Sequence, residues 1–333
     1  MPYETTTGKT RSDGRRRIDP MFNSAFIRIF GEDESRTLTR GLVNAMLKRA
    51  GIEPIGEIDS ISAEYSPISC SVECKTPRVD VRIIAANRII DVEAQNAPED
   101  IDSRSAYYAA QLMVDGTRAG TDYPDIPHVV VLTLLNDEPL FPKSSDFVSS
   151  CRMRWSSSEG DDLGEGTDKL LFVLVELSKV RERYTEIGPD VLGDEAIAWA
   201  YLLTNGFSDE QEVSSIMAQF PTIEEFAQRY GRAVGDPDVK RDYDLAVSAE
   251  LEYNSRQRYL ARKEREAVER GYKTGYDSGY DSGYDSGYGT GFGKGSEEER
   301  RVIASRLRAL GVSEDVIEQA VSETGAAESS QNK

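Results

Sequence analysis

The run His128–Leu135, HVVVLTLL, constrains the fold more than any other stretch of this sequence. An almost continuous apolar and β-branched segment of this length is typical of a strand that is buried on both faces. Such strands occur in sheets that carry helices on both sides. The sequence therefore predicts an α/β fold built around this strand.

Hydrophobic periodicity before this strand predicts helices and strands in a definite order. The predicted elements are helices at residues 19–30 and 35–50, strands at 55–65, 79–85 and 89–95, and a helix at 102–119. We interpret the second and third strands as a hairpin, because only three residues separate them. The order αβββαβ predicts a mixed sheet that is flanked by helices.

The second half of the chain is predicted to be mainly helical, with one further strand at Leu170–Leu177. Pro221 and Pro237 separate its helical segments, and a long charged helix is expected from residue 238 to 270. We divide the chain into six parts. These are a disordered basic N-terminal arm (residues 1–18), an α/β core (19–140), a core extension that is mainly helical (141–270), a glycine repeat (271–295), a helical hairpin (296–325) and a disordered tail (326–333).

An internal repeat places glycine at every fourth position from Gly271 to Gly295, and Tyr or Phe follows each of the first six glycines. Each interior glycine costs a helix about 1 kcal/mol relative to alanine, so an isolated helix is unfavourable here. The pattern favours a flexible, aromatic-rich linker, and the alternative is a helix that forms only against a partner. Asp residues in the central copies exclude a membrane-spanning GxxxG helix.

Composition excludes several classes of protein. The chain has 40 Lys and Arg against 59 Asp and Glu, a net charge of −19, which argues against a general nucleic-acid coat. The basic segment Lys9–Arg17 is a local exception, and it fits either a solvated tail or an arm that touches phosphate. One His and three Cys cannot form a His-rich metal site or a disulfide framework. Without a long apolar run, we expect a cytoplasmic protein with no membrane partner.

Two acidic residues lie within otherwise apolar strands of the predicted hairpin, Asp80 in the first and Glu93 in the second. Because side chains alternate along a strand, Glu93 and Gln95 share one face, and Asp91 shares it too. Asp80 can lie opposite that face if the strands pair. Two carboxylates and a carboxamide would then meet at the sheet, where carboxylate oxygens suit Mg²⁺ and a substrate phosphate.

The alternative for this hairpin is purely structural. Arginines are frequent on the same strands, at positions 78, 82 and 88. Asp80 and Glu93 could then be ordinary charges of the hairpin face, paired to these arginines. The spacing alone leaves both interpretations open.

Further residues along the chain carry a resemblance to a known family. In order, they are Asp19-x-x-Phe22, Phe30-Gly31, Leu42-Val43-Asn44, Val79-Asp80-Val81, Glu93-Ala94-Gln95 and Arg104-x-x-Tyr107-Tyr108. This series resembles the recombination-promoting nuclease (Rpn) and putative transposase family, which belongs to the PD-(D/E)XK nucleases. The similarity is densest in residues 19–135 and extends through the glycine repeat to about residue 325.

The resemblance implies a PD-(D/E)XK nuclease-like core and a metal-dependent DNA endonuclease that is linked to recombination or transposition. Asp80 and Glu93 would be the metal ligands, for Mg²⁺ or for Mn²⁺ as its substitute. Gln95 stands where the family signature has Lys, so another group or a second metal must compensate for the missing positive charge. Arg104 and Tyr108, four residues apart on one helix, would support the site or contact phosphate.

A second functional class remains open at this point. The chain could be a catalytically weak interaction protein that forms homo-oligomers through its helical and repeat C-terminal region. Metal-dependent nicking of DNA distinguishes the two classes, because only the nuclease depends on the Asp80 carboxylate.

Overall fold

The computed structural model describes residues 18–67, 77–98, 100–188, 192–205 and 210–328. Its strands are β1 Ser60–Tyr65, β2 Val79–Ala85, β3 Arg88–Gln95, β4 His128–Leu135, β5 Val148–Cys151, β6 Arg154–Ser156, β7 Asp162–Glu165 and β8 Leu170–Glu176. Its α-helices are α1 Asn23–Phe30, α2 Arg36–Arg49, α3 Ile101–Gly116, α4 Leu177–Ile187, α5 Glu195–Asn205, α6 Glu210–Gln219, α7 Glu224–Gly235, α8 Pro237–Ala309 and α9 Glu314–Glu328.

Within the described residues, a six-stranded mixed sheet has the order β1-β2-β3-β4-β8-β5. The strands β3, β4 and β8 run parallel, whereas β1, β2 and β5 pair antiparallel with their neighbours. The strands β6 and β7 lie between β5 and β8 along the chain, and they pair with each other in a separate two-stranded hairpin. The α/β fold predicted from the sequence is confirmed.

The strand β4 is buried on both faces, as its apolar sequence predicts. Val130, Leu132 and Leu134 join the main hydrophobic core. Val129 and Val131 join a second cluster together with residues of α3. Helices therefore cover both faces of the sheet, and the α3 face is the one that carries the acidic residues described below.

The first strand is shorter than the sequence predicts, because it begins at Ser60 rather than at Ile55. The side chain of Asn44 binds both backbone groups of Ile55: its Oδ1 accepts from the amide at 2.8 Å and its Nδ2 donates to the carbonyl at 3.0 Å. The Asn44 side chain therefore binds the backbone groups of Ile55 that a neighbouring strand would otherwise bind. The alternating apolar residues of this loop are nevertheless buried, which explains the strand-like pattern.

Two glycines end helices where another element comes too close for a side chain. A Cβ atom on Gly31, after α1, would lie 2.8 Å from the Cβ atom of Ala63. A Cβ atom on Gly116 would clash with Cδ1 of Ile89, and α3 ends there, three residues before its predicted end. The sequence gives the positions of these helix ends only approximately, since the cause is a contact between distant segments.

The described residues form two compact units, divided between Glu252 and Tyr253. The first unit contains the sheet, to which β8 and β5 are added on the far side of β4. In its core, the Phe30 ring stacks on Phe226 at 5.8 Å and lies 6.3 Å from the Trp199 ring. Residues from beyond position 140 therefore complete both the sheet and its core.

In the second unit, the glycine repeat is helical, so the expectation of a flexible linker is wrong. The repeat lies within α8, between charged segments that favour helix. Helix formation is costly to start and cheap to extend, so flanking turns can carry a helix through glycines. Neighbouring tyrosine rings also stack along it, with centroids 6.0 to 6.4 Å apart from Tyr276 to Tyr288.

The predicted C-terminal hairpin consists of the end of α8 and α9, joined at Gly311 in a left-handed conformation with φ of +79°. Arg308 binds Glu314 across this turn at 2.7 and 3.0 Å. The helix α9 continues to Glu328 and so includes the first three residues of the predicted tail, whereas the last five residues lie outside the described ranges. Of the arm predicted for residues 1–18, Ile18 is described and is buried, and residues 1–17 lie outside the described ranges. None of the described helices has both the length and the apolar sequence needed to cross a membrane.

Candidate active site

Asp80 on β2 and Glu93 on β3 lie together on the α3 face of the sheet. The strands pair antiparallel, with Val81 opposite Val92, and Asp80 and Glu93 follow at the open end of this ladder. The backbone amide of Asp80 donates to Oε1 of Glu93 at 3.0 Å. The amide of Ala94 donates to Oδ2 of Asp80 at 2.9 Å. Each carboxylate is thus fixed by the backbone of the opposite strand.

Gln95 and Arg104 extend this pair into a chain of hydrogen bonds. Gln95 donates from Nε2 to Oε2 of Glu93 at 2.9 Å. Arg104, on α3, donates from Nη1 to Oε1 of Gln95 at 2.9 Å and from Nη2 to Oε2 of Glu93 at 3.5 Å. The Tyr108 ring lies one helical turn away, with its centroid 5.5 Å from Cζ of Arg104. All five residues selected from the sequence are therefore brought together.

The arginines of the hairpin pair with groups other than these two carboxylates. Arg78 forms an ion pair with Glu64, and Arg82 lies 3.5 Å from Asp115. Arg88 donates to the backbone carbonyl of Glu53. The ion pair formed by Glu93 is with Arg104 instead. The arrangement therefore differs from the structural alternative, in which the hairpin arginines neutralise its acids.

Burial is the main influence on the charge state of the acidic residues. It raises the pKa of Glu93 to about 7, and the negative charge of Asp80 adds to this increase. Burial also raises the pKa of Asp80, against the opposing effect of the Ala94 amide. Carboxylates that are held out of water and close together are stabilised by a proton or by a cation. The site is therefore suited to bind positive charge.

Asp91 is a third acid of this face, to which the sequence reasoning gave no role. It is fully buried, and the polar side chain next to it is the carboxyl group of Glu93, which is itself an acid. Burial, followed by the charges of Glu93 and Asp80, raises its pKa well above the ordinary value. Its cross-strand neighbour Arg82 is directed towards Asp115 instead. The alternation of strand side chains was the signal that could have included Asp91.

The donors present fit a divalent metal ion by their chemistry. Mg²⁺ commonly takes one or two protein carboxylates and completes its shell with water and substrate phosphate. Asp80 and Glu93 supply two such groups, and the buried carboxyl group of Asp91 lies beside them. Within the described parts of the chain, no three His, Cys, Asp or Glu side chains are grouped so that they could hold a metal ion without such additional ligands.

A small pocket opens next to these residues, between α3 and the strands β3 and β4. Its polar lining comes from both sides, and includes Glu93, Gln95, Arg104, Ser105, Tyr108 and Thr133. Thr133 stands directly opposite Glu93 in the parallel pairing of β3 and β4. No sequence pattern distinguishes Thr133, because it lies within an apolar strand.

Comparison with known proteins gives one family. The family model of the PD-(D/E)XK nuclease family transposases matches residues 20–259, which include both strands of the candidate site and α3. No curated protein and no solved structure matches the chain. The family match agrees with the resemblance seen in the sequence, and it extends over most of the chain. The chain therefore belongs to the PD-(D/E)XK nuclease family transposases.

Proposed function

We propose that this protein is a metal-dependent DNA endonuclease of the cytoplasm, which hydrolyses phosphodiester bonds during recombination or transposition. The observation that carries the proposal is the pair of buried carboxylates, Asp80 and Glu93, whose backbone contacts fix them on one face of the sheet. These two residues would hold Mg²⁺, or Mn²⁺ in its place. Membership of the nuclease family supports DNA as the substrate.

When bound, a divalent cation supplies an acidified water molecule and a positive charge beside the phosphate. The chain contributes the orientation of the ligands, because each carboxylate accepts a backbone amide from the opposite strand. Gln95 can orient a water molecule through its amide. Arg104 and Tyr108 are placed on the pocket wall where a phosphate could be bound.

Gln95 lacks the positive charge of the signature lysine, and Arg104 lies next to it. The hydrogen bond from Arg104 to Oε1 of Gln95 brings a guanidinium group to this position. A cation close to the reacting phosphate stabilises the charge that develops in the transition state. We propose that Arg104 supplies this charge from α3.

Nicking of supercoiled plasmid in Mg²⁺, Mn²⁺ or EDTA tests the proposed activity. Asp80→Asn and Glu93→Gln preserve size and the ability to accept a hydrogen bond but remove the charge that a metal needs. Both variants should lose nicking to the background level. Asp125→Asn, which makes the same change at an exposed carboxylate outside the site, should cleave like the wild type.

A measurement of thermal stability separates loss of the site from loss of the fold. Without metal, Asp80→Asn should melt a few degrees above the wild type at pH 8, because it removes one of several buried, mutually repelling charges. Addition of Mn²⁺ should raise the melting temperature of the wild type only. Full nicking activity in either site variant would contradict the assignment of the metal ligands.

We also propose that the protein forms homo-oligomers through the repeat of α8. The observation in favour is a row of tyrosines that expose 60 to 78% of their surface, Tyr272, Tyr276, Tyr280, Tyr284 and Tyr288. A Cβ atom added to any of the repeat glycines would meet nothing within 4 Å, so a second helix could approach closely. The neighbouring aspartates at 277, 281 and 285 repel phosphate, which favours a second copy over DNA.

A further inference from the structure

Arg104 forms an ion pair with Glu93, one of the two proposed metal ligands. Its Nη2 atom lies 3.5 Å from Oε2 of Glu93, and its Nη1 atom donates to Gln95 at 2.9 Å. The amide of Asp80 donates to its Oε1 atom and the amide of Gln95 to its Oε2 atom, and both of these donors are uncharged. The other side chains beside it, Asp80 and Asp91, are acids. The guanidinium group is therefore the positive charge that Glu93 meets directly in the described structure.

The exposure of the two partners is very different. The Glu93 side chain is 4% exposed, whereas that of Arg104 is 43% exposed. Arg104 can therefore leave for solvent at small cost, since its side chain is long and α3 presents it at the pocket wall. Glu93 is fixed by the backbone of β2 and remains in place. The ion pair has one fixed partner and one movable partner.

A guanidinium group and a divalent cation that contact the same carboxylate repel each other, because both are positively charged. We infer that Arg104 is an internal counter-ion of Glu93, which a divalent cation displaces and which then becomes available to the DNA phosphate. The inference rests on the proposed metal-dependent function. It adds that metal binding and the release of Arg104 are one coupled event.

This coupling has a consequence for the side chain that is released. A guanidinium group binds phosphate oxygens through two parallel hydrogen bonds, as it binds a carboxylate. The same group would therefore neutralise the site before the metal arrives and contact the substrate afterwards. Removal of Arg104 should strengthen metal binding and weaken cleavage, and these opposite effects distinguish a counter-ion from a simple structural support.

Calorimetric titration of the full-length protein with Mn²⁺, without DNA, tests the inference. We compare the wild type with Arg104→Gln, which removes the charge, and with Asp80→Asn, which should not bind. Arg78→Gln is the matched control, since Arg78 is also near Asp80 but forms its ion pair with Glu64. We expect Arg104→Gln to bind Mn²⁺ about tenfold more tightly than the wild type, and Arg78→Gln less than threefold more tightly.

Nicking at saturating Mn²⁺ is the second measurement. Arg104→Gln should cleave about 10- to 100-fold more slowly than the wild type, although it binds the metal more tightly. Arg104→Lys keeps the charge but cannot reach Gln95 and Glu93 together, so it should also bind Mn²⁺ more tightly than the wild type. If Arg104→Gln does not fold, Arg104→Lys replaces it in the titration with Mn²⁺.

The outcomes separate the two proposals. If the wild type does not bind Mn²⁺, the proposed function is overturned. If the wild type binds, Asp80→Asn does not, and the Arg104 variants bind equally or more weakly than the wild type, the counter-ion role is overturned and the proposed function stands. If Arg78→Gln gains as much affinity for Mn²⁺ as Arg104→Gln, the counter-ion role is also overturned, because removal of any nearby positive charge would then have the same effect.

Discussion

Gln95 has its two ends bonded to groups of opposite charge, Glu93 through Nε2 and Arg104 through Oε1. Gln95→Ala should lower the nicking rate by about 10- to 1,000-fold, the range for loss of one preorganised polar group. Gln95→Lys should retain measurable activity, because it restores a cation at the signature position. Nicking rates are compared at saturating Mn²⁺. If Gln95→Ala nicks DNA at the wild-type rate, Gln95 has no role in cleavage and contributes only to packing.

Asp19 is a buried acid outside the candidate site. Burial raises its pKa to about 6, although Oδ1 accepts a hydrogen bond from the Met21 amide at 2.8 Å. The nearby Arg181 and Asn136 oppose the increase, and the charge of Asp137 adds to it. The folded protein therefore holds a proton on Asp19 at pH values where the unfolded chain has lost it.

A pH-dependent loss of stability follows from this difference. A group with a raised folded pKa stabilises the fold below its unfolded pKa, and this contribution is lost as the pH rises from about 4 to about 6. Asp19→Asn removes the titration, so it should match the wild type near pH 4 and exceed it by up to about 3 kcal/mol at pH 7.5. Urea unfolding at several pH values checks this, and a difference that does not vary with pH would contradict it.

At the level of residues, the sequence predicts most of the candidate site and leaves out part of it. Asp80, Glu93 and Gln95 could be grouped because strand alternation determines which side chains share a face. The same rule includes Asp91, but its complete burial becomes visible only in three dimensions. The link from Gln95 to Arg104 depends on how α3 packs on β3, and local periodicity contains no information about that contact.

Among the elements, the glycine repeat differs most from its prediction. Propensity alone disfavours a helix there, whereas the flanking helical turns and the stacked tyrosines support one. This helix has exposed aromatic rings throughout the repeat. The physical consequence is an exposed surface that a second copy of the helix could cover.

Truncation after Glu269 tests the proposed role of this element. The cut falls within the second unit, so the first unit, with its sheet and candidate site, remains complete. The shortened protein should fold and nick DNA, but it should sediment as a smaller species than the full-length protein. If sedimentation equilibrium gives the same number of subunits per particle for both proteins, the repeat does not mediate assembly.

A double variant provides the matched control for the truncation. Tyr280→Ser with Tyr284→Ser keeps the chain length and the glycines, and it removes two rings from the middle of the row. It should weaken self-association at least about tenfold in sedimentation equilibrium, since buried aromatic pairs contribute about 1 kcal/mol each beyond their area. If the double variant associates like the wild type, any effect of the truncation comes from residues other than Tyr280 and Tyr284.

On the scale of the whole molecule, one apolar strand was enough to predict the α/β class. The run from His128 to Leu135 requires cover on both faces, and the structure provides it with two separate hydrophobic clusters. The addition of β8 and β5 beyond β4 could not be predicted, because pairing between distant strands leaves no periodic signal. The same holds for Trp199 and Phe226, which fill the core near Phe30 from the second half of the chain.

The two backbone amides that hold the carboxylates of Asp80 and Glu93 have a consequence for hydrogen exchange. The amides of Asp80 and Ala94 donate to carboxylate side chains of the opposite strand, so their protection from deuterium depends on the position of those side chains. A ligand that draws the carboxylates away should accelerate exchange at both amides, while neighbouring amides of β2 and β3 stay protected. Deuterium uptake at these two positions would therefore report occupancy of the site without substrate and without turnover.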